Sequence, residues 1–391
     1  MVNFKKTLLV CWFGCFTTSM GLSQIAPILP FFLRELGLST HDDIAFYSGL
    51  SFGVTSLLLA IFSPLWSFLG AKFGYKKMLL RASLGMAIFT FLIALSRDVF
   101  DVIILRVLTG IVAGFNTTAV VYIAIQAPRK FSAYALGTLS TASVSGSLLG
   151  PLLGGLLAEF IGLRFSFVFV AILLFLSFAT VLFFIDEKKT QRKSTEKEEN
   201  TKTNFKMVLI LCFLTIVVQF GTFGIAPLVS LYVESLHKSK EFMVFLSGLV
   251  VAASGISNVF FAQKLGRMAD RIGYERVIPY CLLFCGILFC LHSLAQTVFV
   301  LFCLRFALGI GLGGLLPCIN AMLKKISSKA KLSVVLGMNQ SSHAIGGFMS
   351  SVGNGYLAAI FDIRTVFVII SLSFILSAFL FLIANKFFKT H

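Results

Sequence analysis

Residues 266–276 read Gly266-Arg-Met-Ala-Asp270-Arg271-Ile-Gly273-Tyr-Glu275-Arg276, and residues 67–77 read Ser67-Phe-Leu-Gly-Ala71-Lys72-Phe-Gly74-Tyr-Lys76-Lys77. Each is a short basic stretch between two apolar runs. Those runs are about twenty residues long, enough to cross a hydrocarbon core about 30 Å thick at about 1.5 Å per residue. The two stretches therefore read as turns between membrane helices, and their likeness across a shift of 199 residues points to a duplicated design.

The shift persists along the chain. Ile25-Ala26-Pro27 recurs as Ile225-Ala226-Pro227, Arg106, Gly110 and Gly114 as Arg305, Gly309 and Gly313, and Gly146, Gly155 and Arg164 as Gly346, Gly355 and Arg364. A steady internal repeat is a fold-level signal. Between the copies lies Asp186–Lys206, the one long hydrophilic stretch, whose Lys/Glu/Thr/Ser composition reads as a linker. The expected division is a bundle over 1–185, a cytoplasmic linker over 186–206 and a second bundle over 207–391.

Composition agrees with a lipid environment. Hydrophobic residues make up 58% of the chain, mean hydropathy is +0.95 and only 13% of residues are charged, against about a quarter in soluble domains. None of the sixteen acidic residues falls in the middle third of an apolar run, where ionisation costs several kcal/mol. Spans are expected at 7–33, 46–70, 78–96, 100–125, 133–161, 164–185, 207–233, 243–266, 277–295, 297–323, 333–360 and 364–386. Lys5 and Lys6 precede the first, which lacks a small-residue cleavage site and reads as a retained helix.

The net charge of +17 could suggest nucleic acid, but the basic residues alternate sides of the spans. Lys72, Lys76, Lys77, Arg129, Lys130, the 188–206 segment, Arg267, Arg271, Lys324, Lys325, Lys329 and Lys331 fall on one side, and only a few such as Arg34, Arg97 and Arg164 on the other. That asymmetry sets topology, with both termini cytoplasmic. The eight cysteines lie in apolar runs without metal-ligand spacing and read as small hydrophobes, so no metal and no cofactor is expected.

Both basic loops resemble the G-x-x-x-D-R-x-G-R-R loop of the major facilitator superfamily. Gly266, Asp270, Arg271 and Gly273 keep that pattern, while Ser67 and Ala71 depart from it beside Lys72, Gly74, Lys76 and Lys77. Leu105-Arg106 with Gly110 is similar to the R-x-x-x-G motif of proton-coupled members, and Arg305 is its repeat partner. An arginine inside a span must face a wet cavity or find acceptors on adjacent helices, or else snorkel to the interface. Ser145-Gly146-Ser-Leu-Leu-Gly150-Pro151-Leu-Leu-Gly154-Gly155 resembles the G-x-x-x-G-P-x-x-G-G signature of antiporters, whose small residues let helices approach and whose proline permits a bend. The second half has Ser350 and Ser351 there instead.

The whole chain resembles the twelve-span drug:proton antiporter family, and within it MdtG-type members, through Trp12–Phe16, Ala135–Thr141, Gly150-Pro151 and Asn339-Gln340-Ser341. The resemblance implies an all-α membrane protein: twelve transmembrane helices in two six-helix bundles related by a parallel pseudo-two-fold, rocking about a central site, the repeat arrangement that characterises this superfamily. It further implies that Gln24, Pro27, Asn116, Gln219, Pro227, Asn320, Asn339 and Gln340 line the cavity, with Phe13, Phe16, Phe220 and Phe223 as apolar walls. Each polar residue could equally bond a neighbouring helix. Coupling wants a titratable group, and His343 is the one histidine well inside a helix. His343 or an end-of-span carboxylate (Glu35, Glu159, Glu234) is the candidate.

No G-x-x-x-x-G-K-[ST] loop for ATP and no catalytic constellation such as H-E-x-x-H is visible, so the chain is expected to be a gradient-driven transporter and not an enzyme. The expected partners are a small-molecule substrate, protons or another coupling ion, and the lipid bilayer, with no nucleic acid, for a monomer in the inner membrane. A metabolite or siderophore exporter, a nutrient importer and a non-transporting receptor are the alternatives.

Overall fold

The computed structural model describes residues 2–126, 132–185, 205–237, 241–327 and 332–389. Arg129, Lys130, Lys329, Lys331 and the linker before Phe205 lie outside the described residues. The described chain folds into helices α1 (Val2–Ser23), α2 (Ile25–Glu35), α3 (His41–Phe73), α4 (Tyr75–Ala94), α5 (Val99–Val112), α6 (Phe115–Gln126), α7 (Ser132–Ile161) and α8 (Leu163–Phe184). After the linker come α9 (Phe205–Thr222), α10 (Ala226–Leu236), α11 (Met243–Ile272), α12 (Tyr274–Ser293), α13 (Val298–Ile326), α14 (Leu332–Ile360) and α15 (Ile363–Lys389).

Local chemistry sets many boundaries. Gly74, Gly162 and Gly273 precede α4, α8 and α12 with φ of 104°, 92° and 94°, a region that other residues enter only with strain. Asp98 and Thr297, at repeat positions, cap α5 and α13 by accepting from the amides of Asp101 and Val300. The two Ile-Ala-Pro copies sit at helix breaks: α1 meets α2 at a 43° bend, and α9 gives way to α10 across 223–225. Proline cannot donate to the carbonyl four residues back, and for Pro27 and Pro227 those carbonyls belong to Ser23 and Phe223, next to the breaks.

Ten described helices or continuous helix pairs have the length and apolarity to cross a membrane, and the bent pair α1–α2 makes eleven. The remaining expected span is α14, 29 residues long. Asn339, Gln340, His343, Ser350, Ser351 and Asn354 make it too polar to be recognised by hydropathy. Large apolar side chains meanwhile face outward, Phe183, Phe299 and Phe160 among them at 75%, 74% and 68% exposure. Such a surface suits lipid and not water. The chain is a multi-pass membrane protein.

Contacts divide the chain into two compact units. The first holds Met1–Ser39, Leu50–Ser194 and Phe242–Gly248, and the second Thr40–Gly49, Thr195–Glu241 and Leu249–His391. The first turns of α3 and α11 thus group away from the rest of their helices, a feature absent from the expected division. In the first unit Cys11, Cys15, Leu79, Phe115, Tyr122, Leu139 and Val181 form a core of α1, α4, α6, α7 and α8.

Candidate functional site

The polar residues of α14 gather on one wall of the second unit. The Thr215 hydroxyl on α9 donates to Asn339 Oδ1 at 2.7 Å, and Asn339 Nδ2 donates to Asn320 Oδ1 on α13 at 2.8 Å. One turn further along α14, His343 Nε2 is hydrogen-bonded to Gln219 Nε2, while Thr222 donates to Gln219 Oε1 at 3.2 Å. Beside these two sets of bonds lies a cavity of about 590 Å³, lined by Asn320, Lys324, Asn339, Gln340 and His343 with Leu316 and Leu336 among its apolar residues. Three of the expected cavity residues and the coupling candidate His343 therefore meet in one place, with Gln219 behind them. Lys324 carries only a topology signal in the sequence, because a lysine at a helix end gives no sign of which way it faces.

The first unit is built differently. Asn116 on α6 accepts from the Thr18 hydroxyl at 3.0 Å and donates to Ser19 at 2.8 Å, so its amide joins α6 to α1. Trp12 stacks on Phe16 with ring centroids 5.6 Å apart and donates to Thr141 on α7 at 3.3 Å. Gln24 stands at the α1–α2 bend, fully buried, and neither polar atom of its amide has a partner among the described residues. Pro27 is buried in α2 and Pro227 in the first turn of α10. Phe13 lies instead in a separate groove of about 470 Å³ with Lys6, Thr180 and Phe184.

Arg106 is buried at 3% exposure and does not snorkel. Its Nε donates to the Ser51 carbonyl of α3 at 3.3 Å, and Thr55 on the same helix donates to the Arg106 carbonyl at 2.8 Å. Gly110 permits this approach, since a Cβ there would stand 2.7 Å from the Thr55 carbonyl oxygen. Arg305 is equally buried at 4%, but its Nε has no partner among the described residues. Near it His292, fully buried, lies between the rings of Phe289 and Phe367 at 5.7 and 5.5 Å.

A third guanidinium, absent from the expected site, also lies within the helices. Arg81 on α4 packs 3.5 Å above the Trp66 ring and donates to the Ala113 carbonyl at 3.4 Å, and Trp66 donates to the Ile111 carbonyl at 2.6 Å. Both reach the break between α5 and α6, where Gly114 has φ 117°. They satisfy carbonyls at a place where the helix no longer supplies donors. The sequence signal for it is an arginine four residues inside an apolar run.

The glycines of α7 form a contact face. A Cβ at Gly146 would lie 3.0 Å from the Met20 nitrogen, one at Gly150 2.8 Å from the Met20 carbonyl oxygen, and one at Gly154 2.9 Å from Gln24 Cβ. All three meet the α1–α2 bend, and Ser23 donates to the Gly146 carbonyl at 3.3 Å. On the next position, Gly155 allows close approach of Val244, 2.7 Å from its would-be Cβ, and the Pro151 carbonyl faces Gly248, all within the first unit. The same unit contains Glu159, whose carboxylate accepts from the amides of Phe242 and Val244 at 2.8 and 3.1 Å. In the second unit Ser350 replaces this packing with bonds, donating to the Phe220 carbonyl at 2.7 Å and accepting from the Gly224 amide at 2.8 Å.

The two basic loops are less alike in space than in sequence. Gly74 and Gly273 share the positive φ noted above, whereas a Cβ at Gly266 would meet nothing. Lys76 donates to the Leu182 carbonyl at 2.9 Å, Lys72 lies over the Phe73 ring at 5.3 Å, and Lys77 is exposed. Asp270 accepts from the Tyr274 hydroxyl, and Arg271 is exposed. The ion pair of this region joins Lys325 to Glu275 at 3.0 Å.

A family model described as the Major Facilitator Superfamily matches residues 11–262 and 211–389. The chain belongs to the major facilitator superfamily. Among its relatives are the multidrug resistance protein MdtG of Salmonella heidelberg, 38% identical over 94% of this chain and 92% of that one, and MdtG of Escherichia coli strain K12, 38% identical over 94% and 91%. Among solved structures, a bacterial homologue of the human lysosomal transporter Spinster superposes with a TM-score of 0.80 over 99% of this chain and 98% of that chain, at 15% identity. That last likeness is one of fold. Membership of the superfamily makes the chain a transporter and places the polar wall of α9, α13 and α14 within a major facilitator fold.

Proposed function

We propose that this chain exports small amphipathic compounds in exchange for protons, by alternating access, as a monomer in the inner membrane with both termini in the cytoplasm. One observation carries the reading: an otherwise apolar chain commits two neighbouring hydrogen-bonded sets of polar side chains, one holding Asn320 and Asn339 and the other His343, to the wall of a cavity large enough for a drug-sized molecule. The multidrug resistance proteins 38% identical to it support export as the direction. With no nucleotide-binding loop in the sequence, a gradient supplies the energy.

His343 is the group best situated to carry the proton. Glu35 is paired with Arg164 at 2.8 Å and Glu159 holds two backbone amides, so both serve the structure. His343 Nε2 faces the Gln219 side-chain amide, which can offer either its nitrogen as donor or its oxygen as acceptor according to the state of the imidazole. Protonation makes that nitrogen a donor and obliges the Gln219 amide to present its oxygen, which also accepts from Thr222. The proton thereby bears on α9 and on the cavity wall together.

Energised everted vesicles carrying the full chain are expected to release protons when an exported compound is added from a panel of amphiphiles of different charge. His343→Gln is expected to abolish that release while leaving compound binding measurable. Normal pH-driven transport by His343→Gln would remove the histidine from this role, and a compound bound by the purified protein but never moved would favour a receptor.

A further inference from the structure

The cavity of the second unit has one formal charge on its lining, and that charge is positive. No acidic residue occurs between Glu199 and Glu234 or between Glu275 and Asp362, so α9, α13 and α14 contain none. A cation entering there would meet the like charge of Lys324, and two of the lining amide oxygens, Asn339 Oδ1 and Asn320 Oδ1, already accept bonds from Thr215 and Asn339. An anion would meet an ammonium group and amide donors.

Lys324 differs from the basic residues that only mark topology. Its neighbour Lys325 is matched by Glu275 at 3.0 Å, whereas Lys324 has no ion pair among the described residues and lies on the cavity lining. In the sequence repeat its first-half counterparts are Ala124 and Ile125, while Arg129 recurs as Lys329, and Lys331 lies one position beyond the counterpart of Lys130. The cytoplasmic charge bias is therefore supplied twice over without Lys324. An unmatched ammonium beside the polar amides forms charge-assisted bonds to a carboxylate, sulfonate or phosphate oxygen, which are shorter and stronger than neutral ones.

Resting on the transporter reading above, we propose that Lys324 selects substrates by charge, so that the compounds moved are amphiphiles with an anionic head group, held by Lys324 with Asn320 and Gln340 beside it. The apolar body of such a compound would lie along Leu316 and Leu336.

The test uses the full chain in proteoliposomes and three fluorescent probes that share a dansyl body and differ only in the head: a carboxylate, its neutral carboxamide and a quaternary ammonium. Wild type is expected to move and bind the carboxylate probe best. Lys324→Gln is expected to weaken transport and binding of that probe about tenfold, the scale of one such charge-assisted bond, with the carboxamide unchanged within about twofold. Lys324→Arg is expected to restore the carboxylate. An unchanged carboxamide shows that the variant is folded. Preference of wild type for the ammonium probe, or an equal loss for all three heads in Lys324→Gln, overturns the charge selection and leaves the transporter reading intact. Movement of no probe, together with no proton release to any amphiphile in vesicles, overturns both.

Discussion

At the scale of single residues, Arg106 shows how a side chain hostile to lipid is tolerated. It is buried, bonded to the Ser51 carbonyl and held by Thr55 from the same helix. Arg106→Met keeps much of the volume but removes the donor, and is expected to destabilise the protein by about 1–3 kcal/mol, the range for losing a buried hydrogen-bonding partner. Transport per folded molecule is expected to fall at least about tenfold, equivalent to about 1.4 kcal/mol of barrier. Thermal unfolding in detergent and flux assays normalised to protein amount check the two parts. A loss of stability with unchanged flux would make Arg106 purely structural. The sequence singles out this arginine because a charge inside an apolar run needs a reason. It does not single out Lys324, because lysines at helix ends satisfy the membrane interface however they point. Nor does it mark His292, which closes α12 and reveals its burial only once Phe367 packs on it.

At the scale of elements, glycine is needed where backbones meet and not merely where a motif has it. Gly150 faces the Met20 carbonyl at the bend of α1 and α2, and Gly150→Ala is expected to cost about 1–3 kcal/mol through overpacking. Gly266→Ala, into open space, is expected to stay within about 0.5 kcal/mol of the parent. Unfolding temperatures of the two variants would decide it, and equal losses would contradict the packing explanation. The helix breaks divide in the same way between the legible and the hidden. The proline copies mark the breaks in α1–α2 and α9–α10, since a missing amide is written in the sequence. The break at Ala113–Gly114 is not marked, because it depends on Trp66 and Arg81 arriving from α3 and α4 to occupy the carbonyls it leaves. Its repeat position at Leu312–Gly313 lies in the unbroken α13, so glycine alone does not end a helix.

For the whole molecule, duplication is the strongest sequence signal, and superfamily membership agrees with it. The count of spans is less secure at α14, where hydropathy fails for the reason that makes the helix interesting: its polar residues serve the cavity wall and not the lipid. Contacts also assign the first turns of α3 and α11 away from the rest of their helices. The Gly155–Val244 and Gly49–Ser351 approaches explain that assignment, since small residues let backbones touch across long sequence distances that no local pattern records. Coupling of substrate movement to a proton gradient is the claim on which the functional reading rests. The most direct measurement is flux of the dansyl carboxylate probe in proteoliposomes under an imposed pH gradient of either sign. Net movement opposite to the protons, reversing when the gradient is reversed, is the predicted result; binding without flux, or flux indifferent to the gradient, would contradict it.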